Sequence, residues 1–119
     1  MRFAQMLVNG GELDGVRIIG PKTIKLMTPD KMPKGASMAM GNRPWPGMGD
    51  GLGFGIKVDP VEAATLGNKG RHCWAGAANT KFWIDPKERL AVEGMAQRMS
   101  DDSPLTEDLH SLVYQAIAK

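Results

Sequence analysis

Arg71-His72-Cys73-Trp74-Ala75-Gly76-Ala77-Ala78-Asn79-Thr80-Lys81-Phe82-Trp83-Ile84-Asp85-Pro86-Lys87-Glu88-Arg89-Leu90-Ala91-Val92 is the stretch on which the fold turns. It reads as a strand, a run of small residues, an aromatic strand, a turn and an aliphatic strand. Strands are expected near residues 71–75, 79–85 and 89–97, the last two joined by Asp85-Pro86-Lys87-Glu88. Neighbours in a strand point to opposite faces, so His72 and Cys73 diverge.

Upstream, Leu52, Phe54, Ile56 and Val58 alternate and predict a strand with one apolar face. Three glycines, Gly51, Gly53 and Gly55, occupy its other side and admit a close neighbour. Residues 29–50 hold four prolines and four glycines and read as a long irregular loop. Phe3, Met6 and Leu7 mark one face of a helix over residues 2–8, ended by Asn9-Gly10-Gly11. No Ser, Thr, Asp or Asn precedes it, as expected of a longer sequence cut within a helix. Asp14-Gly15 suggests a small hairpin over residues 13–19, and Gly20-Pro21 opens a second helix that stops at Thr28-Pro29. Downstream, Ser103-Pro104 starts a final helix with a stripe of Leu105, Leu109, Leu112, Val113, Ala116 and Ile117, which leaves His110 on the polar side.

With 119 residues, 42% hydrophobic and 24% charged, the chain suits one folded domain, residues 1–119. A net charge of +2 without blocks of like charge gives no case for nucleic acid. No apolar run reaches the roughly 18 residues of a membrane span. The single cysteine rules out an internal disulfide and leaves the compartment open.

Few residues suit catalysis. None of Ser37, Ser100, Ser103 and Ser111 sits in Gly-x-Ser-x-Gly or precedes a lysine by three positions. Ser103 is better explained as a helix cap, and Cys73 as a small buried hydrophobe. His72 and His110 belong to no ligand motif, so no metal is expected, and the glycines of 47–55 lead into a strand rather than cradle a phosphate. Trp74-Ala75-Gly76-Ala77 is sharper. Its small side chains leave strand amides open to a ligand, as an oxyanion hole requires. Close packing against small residues explains the same pattern and, on the residues alone, more simply.

The pattern resembles the third active-site element of serine β-lactamase-like hydrolases, the superfamily of class C β-lactamases, penicillin-binding proteins and related esterases. That element is Lys-Thr-Gly or a variant such as Trp-x-Gly, which Trp74-Ala75-Gly76 matches. Ala77-Ala78-Asn79-Thr80, Phe82-Trp83, Asp85-Pro86 and Met95-Ala96-Gln97 continue the likeness. Phe3-Ala4-Gln5-Met6-Leu7, Asn9-Gly10-Gly11, Pro21-Lys22-Thr23 and Gly51-Leu52-Gly53-Phe54-Gly55 extend it upstream. The resemblance implies that the Ala77 N–H is one oxyanion donor, that Trp74, Ala75 and Gly76 line the substrate cleft, and that the substrate is a small ester, amide or lactam, without a cofactor. Two of the family's elements are missing: there is no Ser-x-x-Lys and no Tyr-x-Asn. Ala75 and Asn79 stand where glycine is common, and asparagine tolerates the positive φ that such a glycine would supply.

The expectation is therefore an α+β piece, an antiparallel sheet of three to four strands with helices packed on one face. It would be the C-terminal section of a hydrolase acting through an acyl-serine, inactive alone. The alternative is a free-standing, non-enzymatic module held by self-association or a partner. Either a homo-oligomer or a missing N-terminal half would then cover the edge near residues 89–97.

Overall fold

The computed structural model describes residues 1–99 and 104–117. Its centre is a five-stranded antiparallel meander: β5 (Met48–Asp50), β6 (Gly55–Lys57), β7 (His72–Ala75), β8 (Lys81–Asp85) and β9 (Leu90–Gly94), neighbours in that order. Two short hairpins precede it, β1 (Glu12–Leu13) with β2 (Val16–Arg17), and β3 (Ala39–Met40) with β4 (Arg43–Pro44). The helices are α1 (Arg2–Val8), α2 (Pro21–Met27) and α3 (Leu105–Gln115). None of the described helices is long and apolar enough to cross a membrane.

Strand register divides the sheet into two faces. Ile56, His72, Ile84 and Ala91 stand side by side on one, and Gly55, Cys73, Trp83 and Val92 on the other. Ile56 and Ile84 join Ala4, Met6, Leu7 and Phe54 in one buried cluster, with Ile24 and Met27 of α2 packed against it. Cys73 and Trp83 join Met38 and Met48 in a second, with Leu109, Val113 and Tyr114 of α3 against it. The helices thus cover both faces, α1 and α2 on one and α3 on the other. Helices on one face was the wrong expectation: β8 alternates two apolar sets, Phe82/Ile84 and Trp83, and each needs cover.

The sheet also has five strands rather than three or four. The additional strand, β5, lies inside the stretch 29–50 expected to be loop. It needs only three residues, Met48, Gly49 and Asp50, paired to Lys57, Ile56 and Gly55. The strand expected over 51–58 shortens to β6, because Gly51 to Phe54 form the β5–β6 turn, with Gly51 N–H donating to Phe54 O at 2.8 Å. Leu52 is consequently exposed while Phe54 and Ile56 are buried. The bare side of β6 is filled by a ring: a Cβ on Gly55 would lie 3.0 Å from Cζ3 of Trp45.

The ends of α1 and α2 fall where Gly10-Gly11 and Pro21 place them, but two faces rotate. In α1 the buried set is Ala4, Met6 and Leu7, and Phe3 is exposed. In α3 the inward set is Thr106, Leu109, His110, Val113, Tyr114 and Ile117, while Leu105 and Leu112 face out. His110 is buried, against the expectation of a solvated side chain. The capping role expected of Ser103 falls outside the described residues; Pro104 occupies the N-cap position.

Candidate functional site

The small-residue stretch forms the β7–β8 loop. Gly76 N–H donates to Thr80 O at 2.8 Å, and Asn79 N–H donates back to Gly76 O at 3.0 Å. Asn79 takes φ 61°. This is a three-residue hairpin connection, with Ala77 and Ala78 at the turn and Asn79 as its left-handed residue. Asparagine pays less than most residues for that conformation because its short amide bonds locally. Glycine is needed at 76: a Cβ there would lie 2.5 Å from Oγ1 of Thr80.

Ala77 N–H takes no part in the turn's own hydrogen bonds and has no partner among the described residues. On the β6 side, the ladder to β7 stops at Cys73, so that edge of Trp74 to Gly76 is also unpaired by β6. Two clefts flank the loop. One, of about 420 Å³, is lined by Trp74, Ala75, Gly76, Thr80, Phe82 and Glu93. The other, of about 510 Å³, takes in Ala75, Gly76 and Ala77 together with Trp45 and Asn79. Trp74, 42% exposed, and the still more exposed Met95 give the first its large apolar surface. The four residues singled out from the sequence are thus contiguous at one sheet end, where Ala75 and Gly76 serve both clefts and Ala77 only the second.

The geometry separates the other candidates. His72 lies on the α1 face, its ring 5.1 Å from that of Phe54, and Cys73 lies on the α3 face. Burial pushes the Cys73 thiol up, despite Arg71 and Lys57 nearby, so it is no ready thiolate. Burial lowers His72, opposed by its contact with Gly70 O. Among the described residues no group of three His, Cys, Asp or Glu side chains is placed to hold a metal.

Towards the opposite end of β8 lies a polar network that sequence reasoning missed. Asp85, fully buried, accepts from Asn68 N–H at 2.9 Å, from Asn68 Nδ2, from Lys87 N–H and from the Tyr114 hydroxyl at 2.8 Å. Burial alone would raise the carboxyl; these donors outweigh it and hold the group below its ordinary range. Tyr114 moves up, through burial and its bond to Asp85. Lys57, also fully buried, donates to Thr65 O, Thr65 Oγ1 and Leu66 O at 2.7, 2.8 and 2.5 Å. Burial and Arg71 lower it to about 8. His110 meets the Arg71 guanidinium through Nε2 and packs on Trp83 and Tyr114. Burial, then Arg71 and Lys57, lower it to about 4, so the ring is neutral near pH 7. A signal did exist in α3: His110, Val113, Tyr114 and Ile117 recur at helical spacing.

No protein-family profile matches the chain. It is 31% identical over 106 residues to two Mycobacterium tuberculosis proteins, "Protein Rv1367c" of strain H37Rv and "Uncharacterized protein MT1414" of strain CDC 1551. The match takes in 85% of this chain and 26% of either relative, so the chain spans about a quarter of their length. Among solved structures it is similar to EstCE1, a hydrolase with promiscuous acyltransferase activity. The TM-score is 0.74 and the identity 22%, over 93% of this chain and 27% of that one. That likeness shows the fold alone, a mixed α+β arrangement shared with the matching part of EstCE1.

Proposed function

We propose that this chain supplies one wall of an acyl-transfer site, as the C-terminal section of a serine β-lactamase-like hydrolase acting on small esters, amides or lactams. The observation that carries the reading is the Ala77 N–H, without a partner at the tip of a hydrogen-bonded loop and beside an unpaired strand edge. When a serine oxygen attacks a carbonyl carbon, the carbonyl's π pair moves onto its oxygen. A fixed N–H aimed at that oxygen stabilises the charge in the transition state. Ala77 would be that donor, with Trp74, Ala75 and Gly76 flanking the acyl or leaving group. The serine and its base would come from residues other than these, and the chain by itself would not turn over substrate. EstCE1's hydrolase and acyltransferase chemistry supports the reading by fold alone.

The test is to extend the reading frame upstream, express the longer product and treat it with a fluorophosphonate. A stoichiometric serine adduct, with ester hydrolysis abolished by it, is the expected result. A longer product containing no serine that labels sinks the reading. The rival, a binding module without catalysis, draws on the outer edge of β9, to which no described strand pairs.

A further inference from the structure

The loop that carries Ala77 is fastened by Lys81, whose side chain also lines both clefts, and by Thr106, which lines the second. Lys81, the first residue of β8, is only 8% exposed. Its Nζ donates to Oδ1 of Asn79 at 2.8 Å and also to Oγ1 of Thr106, in the first turn of α3. An ammonium can only donate, so the amide oxygen of Asn79 is the end that must face it. The lysine stem crosses Gly94 of β9 on its way to α3. A Cβ on Gly94 would lie 3.2 Å from Cγ of Lys81 and 3.0 Å from Cδ2 of Leu109. The space left by that glycine is what lets a long cationic side chain lie flat between sheet and helix.

The consequence falls on Asn79. Its left-handed backbone closes the turn through the bond from its N–H to Gly76 O, and that turn sets the direction of the Ala77 N–H. A non-glycine residue there is held at some cost. A side-chain anchor on Oδ1 offsets that cost and fixes the rotamer. We propose that Lys81 is a positioning residue, which ties the turn residue Asn79 to Thr106 of α3 and so sets the orientation of the Ala77 amide. Docking of α3 and presentation of the donor are then one event. The proposal rests on the reading of Ala77 as an oxyanion donor for its functional meaning, though not for its structural content.

Amide exchange and nitrogen–proton NMR spectra of the full chain test both levels, using Lys81→Met, Thr106→Val and Lys81→Arg. In Lys81→Met and in Thr106→Val the Asn79 and Gly76 amides should exchange about tenfold faster, with Trp83 and Val92 in the β8–β9 ladder unchanged. Lys81→Arg, which keeps a donor at this place, should restore most of the protection. The Ala77 cross-peak should shift with added 4-nitrophenyl methylphosphonate, an oxyanion mimic, in the parent chain and stay still in Lys81→Met. Unchanged exchange at Asn79 in both disrupting variants overturns the proposal. Faster exchange there, with an Ala77 signal indifferent to the phosphonate in the parent chain, supports the fastening and removes the donor reading. Thr106→Val carries the test if Lys81→Met does not fold.

Discussion

The phenol of Tyr114, on α3, donates to Oδ2 of Asp85, the last residue of β8, across 2.8 Å. Asp85 is fully buried, so each donor around it replaces lost water. Deleting only the hydroxyl, by Tyr114→Phe, should cost about 1–3 kcal/mol, as for other bonds to a charged acceptor. Urea unfolding followed by Trp fluorescence would measure it. A loss under a few tenths of a kcal/mol would mean that Asn68 and Lys87 alone satisfy the carboxylate.

That pair explains why α3 was harder to read than the sheet. Strand period and turn chemistry were plain in the sequence: Asp14-Gly15 made its hairpin, Asn79 took its left-handed place, and Phe54 and Ile56 went inward. In α3 the apolar count favoured Leu105 and Leu112, yet the inward row is Thr106, His110 and Tyr114, each meeting a polar group of the sheet layer, Lys81, Arg71 and Asp85. A hydrophobicity pattern cannot see such pairs, because each side chain looks solvated until its partner is in place. Strand β5 escaped for another reason. Three residues set among prolines and glycines carry too little alternation to register, and only their pairing to β6 makes them a strand. The role of Ala77 is legible in the residues only as an absence of bulk, which suits packing and ligand binding alike; the resemblance supplied the rest.

Acid should loosen the α3 contact before it touches the carboxylates. His110 is neutral when folded, with a value near 4 against an ordinary 6.5. Between those values the unfolded chain binds the proton and the folded chain does not, so stability is complete above about pH 6.5 and falls as pH drops towards 4. The loss from pH 7 to 4.5 should be about 2 kcal/mol from this group. The charges facing the ring are Arg71 and Lys57, which disfavour its protonation, and Asp85, which favours it. His72, also lowered, adds in the same direction. The lowered carboxyl of Asp85 contributes only further down, where pH falls through its folded value. Stability curves at pH 7 and 4.5 for the parent chain and His110→Phe would separate the groups. Identical pH slopes in the two would deny His110 this role.

Cys73 should be inert in the native chain. The residue is 7% exposed, its sulfur lies 3.6 Å from Gly55 O, and burial disfavours its thiolate. Iodoacetamide at pH 8 should label it at least about tenfold more slowly than it labels the urea-unfolded chain. Equal rates in both states would restore the thiol as a candidate nucleophile.

The outer edge of β9 gives the last prediction. Leu90–Gly94 pairs with β8 on one side, and no described strand pairs with it on the other. The segment contains no proline or lysine to blunt the edge, and its residues are all half-buried, so apolar surface from Leu90, Ala91 and Val92 remains at the margin. Leu105 and Leu112 of α3 add exposed apolar surface on the same face as Val92. Unpaired strand edges beside apolar surface invite pairing with a second copy, most simply about a two-fold axis. Light scattering after size exclusion should then give a mass above 12.9 kDa that rises with loading concentration. Replacing Ala91 by proline, which removes a β9 N–H, offers a less suitable edge and should shift the balance towards monomer if the fold survives, as circular dichroism would show. A single 12.9 kDa species at every concentration, with unfolding independent of concentration, would show that β9 needs no partner.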